Sequence, residues 1–148
     1  SSLINSDRSE TLRSITENGS IYFSRYTENA SSEGRLHEIY VSPKIDGHYT
    51  EPKKLDKNIN SDDAKEFEAY VAPDESYMIF EANNDSRIGS LFISYKGKNN
   101  LWSERIKLSL GDARFPSVSP DGKYLFFMTH EGIYWVSAKF IEDLKPKE

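Results

Sequence analysis

The chain has 148 residues, a formal net charge of −5, no cysteine, and 36% hydrophobic with 13% aromatic residues. The length suits one domain, taken as residues 1–148, with room for a core. The lack of cysteine excludes disulfides, thiolate metal sites and a cysteine nucleophile. No Lys/Arg run is long enough to track phosphates, so no nucleic-acid partner is expected. No stretch approaches the ~20 apolar residues of a membrane span, so a chain that does not span the membrane is expected.

The chain starts at Ser1 without Met, from which removed or missing upstream sequence is expected. Ile4-Asn5-Ser6-Asp7 then precedes a strand, a turn at Glu17-Asn18-Gly19 and a second strand through Ile21-Tyr22-Phe23. A third strand follows at Glu38–Ser42, then a Gly-bearing turn at Asp46-Gly47 and a fourth strand ending near Leu55. The order repeats. Ile59-Asn60-Ser61-Asp62 leads into Tyr70–Phe80 with its turn at Pro73-Asp74-Glu75. Ser90–Ser94 is its third strand, and Leu101–Leu108 holds its fourth. The third unit contains the clearest hairpin, Phe115–Phe127. Ser119 and Pro120 suit the first two turn positions, and Gly122 supplies the positive φ that closes the turn. Gly132–Ser137 is its third strand. No fourth follows: Ala138–Pro146 has helical spacing, with Phe140, Ile141 and Leu144 on one side and Pro146 as the stop.

Aromatic-rich, aliphatic-poor strands recurring about every 50 residues, four to a period, predict propeller-type blades. A sandwich of short strands is the competing all-β arrangement. The repeats run at about 4–58, 59–108 and 109–144. The chain is thus expected to be all-β, built of antiparallel four-stranded blades, about three of them visible. It would be a partial propeller, or half of a six-bladed ring.

The segment Ser119-Pro120-Asp121-Gly122-Lys123-Tyr124-Leu125-Phe126-Phe127 resembles the WD40-like PD40 repeat of TolB-type propellers. Asn60-Ser61 with Glu66, and Trp102-Ser103, also resemble that family's features before the innermost and fourth strands. Two turns depart from its Pro-Asp-Gly: Glu17-Asn18-Gly19, and Glu75 in place of glycine. A non-glycine residue at positive φ costs on the order of 1 kcal/mol, so another geometry is expected at Glu75. The resemblance implies a bacterial, periplasmic or extracellular setting and a protein or cell-envelope polymer as partner. It also implies the C-terminal half of a larger propeller. Three blades leave open edges, and two chains could close a six-bladed ring, each N-terminal segment completing the other's last blade.

No nucleophile elbow, phosphate loop or His-Glu-x-x-His is present. His37, His48 and His130 read as surface residues, with no spacing for a metal. Asn83-Asn84-Asp85 and Asp62-Asp63 read as turns rather than a calcium site. Trp102 reads as structural, and Trp135 as packed between blades. No cofactor is expected. Glu10 and Glu66 align ahead of their innermost strands, with Arg13 and Arg114 nearby. These four are the candidate ligand-binding residues, at one end of a central channel; the competing role is to satisfy backbone at the strand ends. The expected function is therefore a non-catalytic binding or scaffold module. The alternative is the propeller of a glycan-active lyase or hydrolase, or one accessory to a peptidase.

Overall fold

The computed structural model describes residues 3–28, 35–62, 64–83 and 89–147. The protein is all-β. Sheet 1 contains β1 (Glu10–Ile15), β2 (Ile21–Glu28), β3 (Arg35–Ser42) and, at its outer edge, β6 (Lys53–Lys54). A ribbon of β4 (Lys44–Ile45) and β5 (His48–Tyr49) stands between β3 and β6. Its turn puts Asp46 and Gly47 at φ 48° and 79°, the paired left-handed residues of a tight hairpin. Sheet 2 contains β7 (Lys65–Val71), β8 (Tyr77–Asn83), β9 (Ser90–Tyr95) and β10 (Ile106–Lys107). Sheet 3 has three strands: β11 (Arg114–Val118), β12 (Tyr124–Thr129) and β13 (Gly132–Ser137). Every pairing is antiparallel, and each joins strands consecutive in the chain except β3–β6, which skips the β4–β5 ribbon; none of the sheets closes on itself. The helical spacing at the C-terminus is realised as a short helix, α1 (Phe140–Asp143), which buries Ile141.

The repeat seen in the residues is also a repeat of geometry. Each inner strand carries a bulge before its turn, at Leu12/Ser14, Glu66/Ala69 and Arg114/Ser117. Each sheet has one cross-strand aromatic stack. Phe23–Tyr40, Phe80–Phe92 and Phe127–Tyr134 lie 5.8, 6.0 and 6.1 Å apart at 19°, 26° and 21°. Such pairs add to sheet stability beyond their buried area.

The second turn keeps the geometry that its sequence was expected to avoid. Gly19, Glu75 and Gly122 sit at φ 83°, 61° and 71°, each closing back to the residue three before it. Glu75 tolerates this because its side chain is buried and used. Its Oε1 accepts from Thr16 Oγ1 at 3.0 Å and Asn18 Nδ2 at 3.1 Å, and Lys96 pairs with the other oxygen. Burial works against the charge, but Lys96, Asn18 and Thr16 outweigh it and hold the carboxyl below its ordinary pKa. The residue thus ties the first hairpin turn to the second. Glu75→Gly relieves the backbone but removes three polar contacts at a buried site. We expect a net loss of about 1–2 kcal/mol in urea unfolding; a gain would show that backbone strain dominates.

The sheets pack face to face in chain order. Tyr22, Ile39, Met78, Phe80 and Trp102 are in the core between sheets 1 and 2. Ile79, Leu91, Ile93, Leu125 and Phe127 are in the core between sheets 2 and 3. Trp102 is buried, as its structural reading expected. Trp135 is not packed between blades: it is 61% exposed, edge-on to Tyr124 on the outward face of sheet 3, because no following sheet covers it.

Candidate binding site at the starts of the inner strands

Strands β1, β7 and β11 are the first of their sheets, and β7 packs beside both of the others. Their beginnings carry all four sequence candidates. The structure divides these into two pairs with different duties.

Glu10 and Glu66 are caps. Glu10 accepts from the Ser6 amide at 3.2 Å, the Ser6 hydroxyl at 2.5 Å and Arg25 Nε at 2.9 Å. Glu66 repeats the arrangement: Ser61 amide at 3.1 Å, Ser61 hydroxyl at 3.0 Å and Arg105 at 3.0 Å. Arg25 is in β2 and Arg105 just precedes β10, yet each also lies against an aromatic ring of its own sheet. Arg25 sits over Tyr40 and Arg105 over Phe92. The same ligands produce opposite shifts. At Glu10 burial is outweighed by Ser6 and Arg25, and the pKa falls. At the fully buried Glu66 burial wins over Ser61 and Arg105, and the pKa rises. The second oxygen of Glu66 has no hydrogen-bond partner among the described residues.

Arg13 and Arg114 belong to a second constellation, with two carboxylates the sequence reading missed. Arg13 stands in the β1 bulge, where it donates to Ser24 Oγ at 2.8 Å and forms an ion pair with Glu68. Ser24 donates onward to the Phe67 carbonyl at 2.9 Å, which joins β1, β2 and β7. Arg114 Nε donates to Asp112 at 3.2 Å and lies 3.9 Å from Glu81. Glu81 is buried in β8. Gly89 makes room for it, since a β-carbon there would fall 2.4 Å from Glu81 Oε1. Burial pushes the Glu81 carboxyl up to about 7 against the pull of Arg114; Glu68 and Asp112 add to the rise, and Arg13 opposes it. One signal could have found Glu81: it is the single charged residue in the strand Tyr77–Asn83, which is buried over Met78–Ala82.

The histidines do not converge. His37 is half-buried rather than on the surface, tilted onto Phe67 at 4.8 Å and edge-on to Tyr26 at 5.1 Å. Burial, with Arg13 and Lys65, lowers its pKa. His48 is exposed in the β4–β5 ribbon, and His130 is exposed after β12. Asp63, Asn84 and Asp85 lie outside the described residues. Among the described residues no three His, Asp or Glu side chains are grouped to hold a metal, and no helix is long and apolar enough to cross a membrane.

No protein family, curated protein or solved structure matches this chain.

The chemistry of Glu81 has a direct consequence. Its carboxyl stays protonated in the fold between its ordinary 4.5 and about 7, whereas the unfolded chain has released the proton. Stability therefore falls as pH rises through that window. Glu81→Gln keeps the shape and removes the penalty. It should raise stability by about 1–3 kcal/mol near pH 8 and change little near pH 4.5. Urea midpoints at the two pH values measure this; equal effects at both would mean that Glu81 is ionised throughout.

Proposed function

We propose that the chain is a non-catalytic recognition or scaffold module built of PD40-type propeller repeats. It acts in a periplasmic or extracellular setting and contacts a protein or cell-envelope polymer. The observation that carries this reading is the charged constellation at the starts of β1, β7 and β11. There Arg13 is paired with Glu68, while Arg114 stands beside Glu81 and Asp112 and remains partly exposed. Such a ring-end array of donors and acceptors suits a polar surface better than an apolar small molecule. Glu10 and Glu66 are committed to holding Ser6 and Ser61, which supports structural duty rather than acid–base work.

Co-sedimentation with isolated peptidoglycan tests the polymer branch. Binding is expected without release of soluble fragments, and Arg114→Glu should weaken it about tenfold, the equivalent of ~1.4 kcal/mol. Binding untouched by this substitution would remove the constellation from the interface.

One observation favours a second reading, a glycan-active propeller. A buried carboxyl titrating near 7 beside an arginine is a recognised signature of general acids. Fragment release that disappears in Glu81→Gln would establish that reading in place of the first.

A further inference from the structure

Equivalent positions in the three sheets can be followed through the strand register. Ile39, Leu91 and Ile133 face Ser24, Glu81 and Met128 across the second and third strands. Ile39 and Leu91 lie toward the following sheet and are 0% exposed; Ile133 is 73% exposed. Two pairs along, on the same face, Tyr22 and Ile79 are buried, while Phe126 is 38% exposed. The opposite face behaves in the opposite order. Val71 and Val118, each just before its turn, are buried against the preceding sheet; Ile15, at the same position in sheet 1, is 60% exposed. These positions are thus covered wherever a neighbouring sheet exists and bare at the two ends; Phe23, the counterpart of Phe80 and Phe127 on the outward face of sheet 1, is the exception, buried under Arg25 of its own sheet.

The corner motif repeats the pattern. Ile59 is buried in the first core, and the Asn60 side chain accepts from the Ile39 amide at 2.7 Å and donates to its carbonyl at 2.9 Å. This fastens the start of unit 2 to the third strand of sheet 1. Ile4-Asn5 is the same dipeptide ahead of unit 1, but Ile4 is half-buried and Asn5 exposed. Ile133, the counterpart of Ile39, lies in the edge strand β13.

We propose that these two ends bind each other in a second copy of the chain. Sheet 3 of one copy packs on sheet 1 of the other, and the partner's Asn5 takes the main chain of Ile133 as Asn60 takes Ile39. Both halves of the contact are on this chain: the sheet packing is a further instance of an interface that the chain already makes twice internally, and the Asn5 contact is a further instance of the one that Asn60 makes once. The contact is head-to-tail, so it closes only if the rotation completes a ring. Propellers have four to eight blades. Two copies of these three sheets give six, which falls in that range, and two is the proposed copy number. The proposal rests on the propeller reading above.

Because the chain has no cysteine, Asn5→Cys combined with Ile133→Cys offers a direct test. Oxidation should link the double variant covalently between chains, while either single variant stays unlinked. Light scattering of the unsubstituted protein at micromolar concentration should give twice the 17.0 kDa chain mass. Ile133→Asp, at an exposed edge, should halve the particle mass with an unchanged far-ultraviolet circular dichroism spectrum. One chain per particle, an open polymer, or a dimer indifferent to Ile133→Asp and unlinked in the double variant would each overturn the proposal. Peptidoglycan binding by a single-chain particle would overturn the pairing while leaving the recognition reading intact. A paired particle that binds no envelope polymer or protein would do the reverse.

Discussion

Phe80→Ala is expected to destabilise the protein by about 3–5 kcal/mol, the largest effect of any single truncation considered. Phe80 is fully buried in the core between sheets 1 and 2. It stacks on Phe92 within its own sheet while facing the first. Truncation therefore loses the transfer energy of the ring, leaves a cavity and deletes the cross-strand stack. Phe80→Leu should recover more than half of the loss, because most of the volume returns. Urea unfolding with an unchanged slope measures both variants. A cost below about 1 kcal/mol for Phe80→Ala would mean that the two sheets are not joined through this core.

Asn60→Ala is expected to cost about 2–3 kcal/mol through polar loss rather than cavity formation. Asn60 is buried, and its side chain satisfies the Ile39 amide, the Ile39 carbonyl and the Leu55 carbonyl. The Ile39 carbonyl keeps a second donor, the Leu55 amide at 3.0 Å. The penalty therefore falls mainly on the Ile39 amide, left buried without an acceptor. Asn60→Asp is a sharper probe. It retains the acceptor for that amide but sets a second carboxylate oxygen against two carbonyls, so its cost should shrink on acidification, when the carboxyl can donate. A pH-independent cost for Asn60→Asp would show that Asn60 works by shape alone. The corresponding Asn5→Ala, at an exposed position, should leave the stability of a single chain within about 0.5 kcal/mol.

Much of the architecture was legible before any coordinates. The three hairpins, the missing fourth strand after Ser137 and the helical turn at Phe140 all appear where contiguous residues pointed. The errors are equally instructive. At Glu75 the expectation followed backbone cost, and the structure offsets that cost with Lys96 of its own unit and Thr16 and Asn18 of the preceding one. At Trp135 the expectation followed hydrophobicity, which reports that a side chain gains from burial but not whether a neighbour exists to bury it.

The candidate site divides in the same way. The alignment of Glu10 with Glu66 and the nearness of Arg13 and Arg114 to strand starts could be read along the chain. Their roles could not, because an ion pair such as Arg13–Glu68 joins residues 55 apart, and their approach depends on how two sheets stack. By itself the sequence determined strand order, turn positions and the alternation of buried side chains, because backbone dihedrals and pleat are properties of adjacent residues. Only the tertiary structure decided which carboxylates are caps, which stand beside arginines and which faces stay bare. Charge and burial depend on distances in space, set when the sheets pack.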